Sequence, residues 1–356
     1  MITKFYKNWR ASVIDLNFSL KETIKNLNKT ALRLCLVNRN NRFYGIITDG
    51  DIRRALLKGV KLSDNIVKAV NKKPFFIYEK NLNKKNLEDL IKKSKSNFIP
   101  ILNSKKKIVD IISEYKNNFS QINGSKYELV VITGGKGKRL LPLTKNTPKA
   151  LIKVNGKPIL EHIILKAKNE GIKKINLITN HKHKQIYNYF KKGKKLNVKI
   201  NYFKEKTPLG TAGGLSLLGR KKNKILIVSN CDIVTNINFK DIVNYHKSNK
   251  NKLTITSRFY KLDNPYGVIQ LNKFNKVTKI DEKPSENYLI SAGIYVMNSS
   301  ILKYLRYSKK IDMTDFINNL SSKKIMIGTC PIHENWLDIG SLKDLKKINR
   351  EHYVES

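Results

Sequence analysis

The chain has few cysteines, few acidic residues and no long apolar run. Its 356 residues include only three cysteines, Cys35, Cys231 and Cys330, with no Cys-x-x-Cys pair and no histidine at ligand spacing. This pattern argues against a disulfide scaffold or a zinc ribbon and predicts reduced structural thiols. No stretch is apolar enough to span a bilayer, and residues 1–20 lack the apolar core of a signal peptide. We therefore expect a cytoplasmic protein with no membrane partner.

The shortage of acidic residues leaves a large positive charge. Lys and Arg number 71 against 27 Asp and Glu, which gives a formal net charge of +44. Such a charge raises nucleic-acid binding as a function. The lysines are scattered, however, and are not gathered into one stripe with interleaved aromatics, so no nucleic-acid partner is expected. The positive field would still steer anionic substrates, in a salt-dependent way.

Residues 129–151 join a buried strand to a glycine-rich and cation-rich loop. The apolar run 129–132 is typical of a strand in a parallel sheet. Three glycines follow, Gly134, Gly135 and Gly137, and the cations that could neutralise a polyphosphate are Lys136, Lys138, Arg139 and Lys149. Glycines bring backbone N–H groups close to phosphate oxygens, and cations neutralise a polyphosphate. The loop is not a Walker A motif, and Pro142 and Pro148 fit poorly with the helix of a dinucleotide fingerprint.

This segment resembles the signature of the sugar-1-phosphate nucleotidyltransferases, G-G-x-G-T-R-L-x-P-L-T followed by P-K, with Lys138 in place of Thr. Four further segments follow in family order. Residues 205–213 resemble the nucleobase-reading loop, and residues 227–232 resemble the strand that ends in a metal-binding Asp. Residues 266–267, 281–284 and 291–295 resemble the sugar-phosphate pocket, and residues 336–340 resemble the second metal-binding motif. Cys231 replaces the usual Gly of the second of these. A strand-end Asp alone is more often a cap. Five motifs in order are stronger evidence.

The resemblance implies transfer of a nucleotidyl group from a nucleoside triphosphate to a sugar-1-phosphate, with release of pyrophosphate and no protein nucleophile. The implied catalytic residues are Arg139 on the pyrophosphate, Lys149 near the α-phosphate, Asp232, and Lys283 on the acceptor. Asp232 and Asp338 would bind Mg²⁺. The implied nucleotide contacts are Thr133, Gly134, Gly135, Gly137, Lys138, Glu205, Pro208, Gly210 and Thr211. The implied sugar contacts are Gly267, Glu282, Ala292, Gly293 and Tyr295.

Glu205 bears on the choice of nucleobase. Thymidylyl and uridylyl relatives typically carry Gln at the matching position, whereas an ionised glutamate only accepts hydrogen bonds. Such a group suits the N1–H and the exocyclic amine of guanine, so GTP is expected, although a solvent-facing Glu would also account for the residue. Uridylyl and thymidylyl enzymes therefore remain alternatives, as does a non-catalytic regulatory subunit.

Residues 1–116 contain an internal repeat. The segments 36–38 and 45–48 recur as 101–103 and 110–113, each copy reading as a strand, a polar turn, a second strand and the start of a helix. The run 45–54 resembles the end of a CBS motif, which implies an α+β tandem CBS pair. By that resemblance Thr48 would contact phosphate and Asp51 ribose. The second copy has Ser113 and Lys116 there, so at most one adenosine-nucleotide site is expected, and a pure assembly role is equally open.

The remaining chain predicts an α/β domain with a doubly wound, Rossmann-like mixed sheet over residues 127–350. A linker at 117–126 and a tail at 351–356 complete the organisation, and a homo-oligomer is expected. A CBS pair before such a domain resembles guanylyltransferases that make GDP-amino sugars for bacterial nonulosonic acids such as legionaminic acid. That resemblance implies glucosamine-1-phosphate as acceptor and GDP-glucosamine as product. Mannose-1-phosphate, heptose-1-phosphate and glucose-1-phosphate remain open.

Overall fold

The computed structural model describes residues 2–5, 9–30, 34–83, 86, 90, 98–115, 126–219, 223–332 and 334–350. The chain divides into two compact units, Met1–Ser120 and Gln121–Ser356. The division falls within the predicted linker, of which residues 117–125 lie outside the described residues, as does the predicted tail at 351–356.

The helices are α1 (Leu20–Lys29), α2 (Asp49–Leu57), α3 (Ile159–Asn169), α4 (His183–Phe190), α5 (Gly210–Gly213), α6 (Phe239–Ser248), α7 (Met313–Ser322) and α8 (Leu342–Arg350). The strands of the first unit are β1 (Ile2–Phe5), β2 (Val13–Asp15), β3 (Leu34–Arg39), β4 (Arg42–Thr48), β5 (Ile77–Tyr78), β6 (Phe98–Leu102) and β7 (Ile108–Tyr115). Those of the second unit are β8 (Tyr127–Ile132), β9 (Lys153–Val154), β10 (Lys157–Pro158), β11 (Lys174–Thr179), β12 (Lys199–Lys204), β13 (Ile225–Asn230), β14 (Ile233–Thr235), β15 (Leu253–Asp263), β16 (Val268–Leu271), β17 (Val277–Asp281), β18 (Ser285–Asn298), β19 (Ile327–Pro331) and β20 (Trp336–Asp338).

The second unit is built on a seven-stranded mixed sheet in the order β12-β11-β8-β13-β18-β15-β19. Strands β12, β11, β8 and β13 are parallel to one another, and β18 joins β13 antiparallel. Along β8, Leu129 and Val131 belong to one apolar cluster with α3, α4 and α6, whereas Val130 belongs to a second cluster with α7. Alternate residues of a strand face opposite sides of the sheet, so both sides are covered by helices. The predicted fold class is confirmed.

Strands β15 and β18 continue beyond the sheet as an arm, defined here as residues 258–290. Within it β15 pairs with β18 from Arg258↔Ile290 to Asp263↔Ser285, and β16 forms a hairpin with β17. Most of its apolar side chains are exposed, including Tyr266 at 75% and Phe274 at 70%. At its base the register shifts, because Ile255 pairs with Tyr295 but Ser257 pairs with Ser291. The extra residues of β18 form a bulge there, as bulges do at sheet edges and near sites.

The first unit contains both predicted hairpins. Strand β3 pairs antiparallel with β4, and β6 pairs antiparallel with β7. In the first copy α2 begins directly after β4, as the repeat predicts. In the second copy the predicted helix does not start at Ser113, because β7 continues to Tyr115 and pairs with β1. None of the helices in the described ranges has both the length and the apolar character that crossing a membrane requires.

Candidate nucleotidyl-transfer site

A cavity of about 290 Å³ opens where the parallel strands of the central sheet end. Its described lining consists of Ile132, Gly135, Gly137, Lys138, Arg139, Lys149, Thr211, Asn230, Cys231, Asp232 and Gly340. Ile132 ends β8 and Asn230 ends β13, and the two strands run parallel. Ligands of open α/β sheets bind beyond the carboxyl ends of such strands. The glycine-rich loop and the first predicted metal-binding motif therefore meet at one cavity.

The glycine-rich loop is fixed by contacts that only glycine permits. Gly137 has φ +64°, and a Cβ there would come within 2.9 Å of the Thr144 side chain and 3.2 Å of Lys149 Cβ. Thr144 Oγ1 donates to the Gly137 carbonyl oxygen at 2.9 Å. From the start of α4, Lys182 Nζ donates to the carbonyl oxygens of Thr144 and Lys145 at 2.8 and 2.5 Å. The loop that carries the cations is thus held before any ligand binds.

Lys149 and Asp232 form a partly buried ion pair inside the cavity. Lys149 Nζ lies 2.5 Å from Asp232 Oδ2, and the lysine is only 8% exposed. Burying a charge is costly unless it is paired. Asp232 therefore compensates the charge of the buried Lys149 inside the cavity.

Asp338 lies beside Asp232 because β20, which ends at Asp338, pairs with β14, which begins directly after Asp232. Ile233 pairs with Asp338 between β14 and β20, and Ile339 N donates to the Asp232 carbonyl oxygen at 2.9 Å. Burial raises the pKa of Asp338, and the charge of Asp232 raises it further, while Lys149 and Arg139 oppose both effects. The two predicted metal carboxylates and the two predicted phosphate cations thus interact electrostatically.

The two carboxylates fit a magnesium ion. Oδ1 of Asp232 and Oδ1 of Asp338 are each buried without a hydrogen-bond partner in the described part of the chain. Within those same residues no third His, Cys, Asp or Glu joins them as a metal ligand. Mg²⁺ is commonly bound by one or two carboxylates together with water and substrate phosphates. The donor set is therefore of the kind that this cation uses in triphosphate sites.

Arg139 lines the same cavity as Lys149. It belongs to a short 3-10 helix, Lys138–Leu140, that begins directly after Gly137. A Cβ on Gly340 would stand 3.1 Å from Arg139 Nη1, so the guanidinium covers the backbone that follows Asp338. The missing side chain at Gly340 leaves room for this cation at the cavity wall.

Glu205 follows β12 and is packed between two glycines. Its N–H donates to the Thr179 carbonyl oxygen at 2.8 Å, and the residue is 5% exposed. A Cβ on Gly134 would come within 2.8 Å of Oε2, and one on Gly214 within 2.7 Å of Oε1. Burial raises the pKa of Glu205 to about 7, opposed by a backbone hydrogen bond from Leu209. Glu205 therefore does not face solvent, and its Oε1 has no partner among the described residues.

The rest of the predicted nucleobase loop is anchored to the start of α7. Thr211 N donates to Asp312 Oδ1 at 2.9 Å, and Met313 N donates to Thr211 Oγ1 at 2.7 Å. Gly210, at φ +77°, approaches Ile311 so closely that a Cβ would stand 2.6 Å from its carbonyl oxygen. Thr211 lines the cavity, but its N–H is already bound. Pro208 is exposed beside it.

Thr133 differs from the expected nucleotide contact. Its N–H and its hydroxyl both donate to the Ile178 carbonyl oxygen, each at 2.8 Å. The side chain is 2% exposed. Thr133 therefore ties β8 to β11, and neither donor remains for a phosphate.

The predicted sugar contacts form two groups, and none of them belongs to the described lining of the cavity. On the arm, a Cβ on Gly267 would lie 3.1 Å from Glu282 Oε2, and Lys283 is exposed with φ +44°. At the bulge, Gly293 has φ +72° and approaches the Asn230 side chain. Tyr295 is buried in the apolar cluster, where its hydroxyl contacts Ser291 Oγ at 3.1 Å.

Ala292 completes the group at the bulge. It is fully buried, and its carbonyl oxygen accepts a hydrogen bond from Trp336 Nε1 at 2.7 Å. Buried backbone oxygens are nearly always paired in this way. Ala292 therefore contributes backbone geometry at the base of the arm.

In the first unit, Thr48 and Asp51 bond to each other. Thr48 caps α2, with its Oγ1 accepting from Asp51 N at 3.3 Å, and Asp51 Oδ2 accepts from Thr48 N at 2.9 Å. The second carboxylate oxygen of Asp51 lies 2.7 Å from Arg54 Nη2. Both expected ligand residues thus serve a capping box. A ribose would have to compete with Arg54.

Some contacts of the site could not be predicted from the motifs. Asn230, Cys231 and Gly340 lie within the motifs 227–232 and 336–340, which did not predict them as contacts, and they line the cavity because two strand ends and β20 converge there. Lys182 lies more than 30 residues beyond the loop that it fixes. Each motif identified its own side chains, whereas these contacts depend on tertiary packing.

Comparison with known proteins agrees with this geometry. The family model for nucleotidyl transferases matches residues 128–354, and that for the CBS domain matches residues 10–58. Mannose-1-phosphate guanyltransferase 2 of Candida glabrata is 31% identical over 241 residues, 63% of this chain and 66% of that protein. Bifunctional protein GlmU of Methanococcus maripaludis is 33% identical over 236 residues, 63% of this chain and 54% of that protein. The chain thus spans only part of the length of either relative.

Solved structures share the fold of the second unit. A putative glucose-1-phosphate thymidylyltransferase from Bacillus anthracis gives a TM-score of 0.51 at 24% identity, covering 65% of this chain and 96% of that one. HddC from Yersinia pseudotuberculosis gives a TM-score of 0.50 at 23% identity, and the match covers 64% of this chain and 99% of that one. At such identities these likenesses establish the fold alone. The family match, in contrast, extends over most of the chain and includes the cavity, and we conclude that the chain belongs to the nucleotidyl transferase family.

Proposed function

We propose that this protein transfers a nucleoside monophosphate from a nucleoside triphosphate to a sugar-1-phosphate and releases pyrophosphate. The observation that carries the proposal is the cavity in which Arg139 and Lys149 interact with the paired carboxylates Asp232 and Asp338. Two cations and a cation-binding carboxylate pair at the end of a parallel sheet suit a polyphosphate. A regulatory subunit without activity is disfavoured, because every implied charged residue is present, including Lys283.

The reaction needs no protein nucleophile. An oxygen of the sugar-1-phosphate, already ionised near neutral pH, attacks the α-phosphorus, and the bond to the pyrophosphate oxygen breaks. The protein therefore has to bring two anions together, align them and neutralise the charge that develops on the leaving group. Lys149 would hold the α-phosphate once Asp232 releases it, and Arg139 would hold the departing pyrophosphate. Lys283 and Glu282 on the arm would hold the acceptor phosphate and the sugar hydroxyls.

Magnesium is the cation we propose for Asp232 and Asp338. When bound, it would neutralise phosphate oxygens and orient the triphosphate. The support comes from two buried oxygens, one on each carboxylate, that have no hydrogen-bond partner among the residues the structure describes. Asp232 would then exchange its contact with Lys149 for the cation, which frees Lys149 for phosphate.

We further propose GTP as the donor. The buried Oε1 of Glu205 lacks a partner among the described residues, and guanine offers two donors, N1–H and the exocyclic amine, to an ionised carboxylate. The relatives named mannose-1-phosphate guanyltransferase support the same nucleotide.

For the acceptor we propose glucosamine-1-phosphate, with GDP-glucosamine for legionaminic acid synthesis as the product. The support is the order of a CBS domain before a nucleotidyl transferase domain. Mannose-1-phosphate is the first alternative, because relatives carry that name. The exposed arm supplies the charged groups that any of these sugar phosphates would need.

The test is a matrix of substrates. The full chain, with magnesium, is incubated with each of four nucleoside triphosphates and with glucosamine-, mannose-, heptose- and glucose-1-phosphate, and pyrophosphate release is measured. Release is expected only when both substrates are present, fastest with GTP and glucosamine-1-phosphate. Release with GTP and another sugar would change only the acceptor, whereas no release from any pair would refute the proposal.

A further inference from the structure

Arg258 and Trp336 meet where the arm leaves the central sheet. Arg258 Nη1 donates to the Trp336 carbonyl oxygen at 3.0 Å, and the guanidinium carbon lies 5.1 Å from the centre of the indole ring. A guanidinium over an indole face is an attractive cation–π contact, strongest where water is excluded. One arginine on β15 therefore holds both the ring and the backbone of Trp336.

Trp336 also binds the other strand of the arm. Its Nε1 donates to the Ala292 carbonyl oxygen at 2.7 Å. Ala292 is fully buried within the bulge of β18, directly before Gly293. Loss of this donor would leave a buried carbonyl unpaired, which is a costly state. The indole thus spans the two strands at the base of the arm.

Trp336 is in addition the first residue of β20, which ends at Asp338. Strand β20 pairs with β14 through Thr235↔Trp336 and Ile233↔Asp338. Neither Arg258 nor Trp336 belongs to the described lining of the cavity. We therefore expect Arg258 and Trp336 to affect the reaction only indirectly, by fixing the position of Asp338 or that of Ala292 and Gly293.

We propose that Arg258 and Trp336 are positioning residues that clamp the acceptor-binding arm to the strand carrying Asp338. The arm and the carboxylate pair then hold a constant separation, which aligns the acceptor phosphate with the metal-bound triphosphate. This inference rests on the proposed function, because the arm must be the acceptor side. It assigns a role to Arg258, a residue outside every motif of the sequence.

The chain offers a built-in reporter of this clamp. It contains two tryptophans, Trp9 and Trp336, and Trp9 lies in the first unit. In a Trp9→Phe background the indole fluorescence therefore comes from Trp336 alone. Arg258→Met removes the cation and the hydrogen bond but keeps the length of the side chain. Lys303→Met is the matched control, since Lys303 lies outside the arm and its Nζ stands 5.1 Å from the centre of the Tyr304 ring, so the change removes a cation from another aromatic ring.

In this background, Arg258→Met is expected to red-shift the emission of Trp336 and to increase its quenching by acrylamide. It is also expected to raise KM for the sugar-1-phosphate about tenfold, with KM for the nucleoside triphosphate changed less than about twofold. Arg258→Lys retains the positive charge but lacks the planar guanidinium group, so its fluorescence and its KM for the sugar-1-phosphate should lie between those of the parent and those of Arg258→Met. Lys303→Met should match the parent in every measurement.

Two results would overturn the clamp. One is an Arg258→Met protein with unchanged Trp336 fluorescence and unchanged KM for the sugar-1-phosphate. The other is an Arg258→Met protein in which both KM values change equally, or in which the rate falls only in proportion to the fraction of protein that remains folded. A purely structural role of Arg258 would give either of these outcomes. If Arg258→Met does not fold, Arg258→Lys makes the same comparison with a smaller shift. Absence of turnover in the parent would refute the proposed function, while the fluorescence would still decide the clamp.

Discussion

The two substrate sides that we propose for the second unit are built differently. On the nucleotide side, Lys149 and Glu205 are 8% and 5% exposed and lie on loops fixed to the central sheet. On the acceptor side, Lys283 and Glu282 are exposed on an arm that extends beyond the sheet. The first group shares contacts with buried elements, and the second lies between β17 and β18 on the arm, where most apolar side chains are exposed.

This difference indicates how the enzyme would divide its work. Residues in a packed sheet hold their geometry without a ligand, and such preorganisation is what electrostatic stabilisation of a phosphoryl transfer requires. An exposed hairpin adds recognition groups at little cost to the core and can vary its acceptor between relatives. We therefore expect the nucleotide side to determine the rate and the arm to determine the affinity for the sugar phosphate.

The largest effect is expected from Asp232→Asn. The substitution removes a magnesium ligand and the partner of Lys149 with little change in volume, so kcat should fall about 10³-fold. Steady-state kinetics over a range of magnesium concentrations measure this, with thermal unfolding to verify the fold. Asp315→Asn, on the exposed first turn of α7, removes the same charge elsewhere and should keep full activity. A wild-type rate of Asp232→Asn at limiting magnesium would contradict the assignment.

Lys283→Met tests the other side of the comparison. Loss of a charge-assisted contact to the acceptor phosphate should raise KM for the sugar-1-phosphate about 10- to 100-fold. Binding of GTP, measured by calorimetry, should change less than about twofold. Lys279→Met is the control, because Lys279 pairs with Asp281 on the same arm. An equal loss of GTP affinity in Lys283→Met would mean that the two sides are not separate.

Glu205→Gln should change the choice of nucleotide by about tenfold. The amide presents a donor where guanine needs an acceptor, and one mismatched hydrogen bond costs about 1–3 kcal/mol. Relative kcat/KM for GTP should fall and that for UTP or dTTP should rise. Glu170→Gln is the control, since Glu170 is another carboxylate whose pKa is raised by burial. Unchanged selectivity across four nucleotides would refute the base-reading role.

The same residue predicts a pH dependence on the nucleotide side alone. Burial raises the pKa of Glu205 to about 7, so the accepting, ionised form gains population as pH rises through that value. KM for GTP should therefore fall about tenfold between about pH 6 and about pH 8, mainly below the pKa. Glu205→Gln should flatten this profile. A profile for GTP that Glu205→Gln leaves unaltered would assign the titration to another group.

Asp51→Ala should have the smallest effect on catalysis. It lies in the first unit, outside both substrate sides, so kcat and both KM values should match wild type at saturating substrate. Loss of the capping box should destabilise that unit by about 1 kcal/mol. We propose that an adenosine nucleotide binds there, and calorimetry with AMP, ADP and ATP should show binding to the wild-type chain only. If none of the three nucleotides gives a heat of binding with the wild-type chain, the nucleotide site is refuted and an assembly role for the first unit is favoured.

The sequence predicted much of the fold and the side chains of the site. The buried apolar run 129–132 located β8 (Tyr127–Ile132) to within two residues, because burial on both faces of a sheet selects such a run. Motif order predicted that Lys149 and Asp232 would act together, and they form an ion pair. The capping of α2 by Thr48 was not predicted. Thr48 and Asp51 fit the ligand motif and the capping box equally well, so the sequence alone does not distinguish the two roles.

Long-range contacts could not be predicted from one sequence. The bond from Trp336 to Ala292 joins residues 44 positions apart and requires a bulge in β18. The resemblance implied Thr133 as a nucleotide contact, but the Ile178 carbonyl oxygen on the neighbouring strand accepts from both of its donors. In both cases the hydrogen-bond partner of the side chain is a backbone carbonyl oxygen of a strand that is distant in the sequence. Which carbonyl oxygens need such a partner is decided only when the sheet has formed.

Binding of GTP in the absence of any sugar phosphate tests the central claim most directly. Calorimetry is carried out with GTP and magnesium on the full chain and on the Asp232→Asn and Lys283→Met variants. The expected result is saturable binding to wild type without an acceptor, the same affinity in Lys283→Met, and a much weaker affinity in Asp232→Asn. Binding of GTP that requires the acceptor, or that is lost in Lys283→Met, would contradict a nucleotide side formed by the central sheet alone.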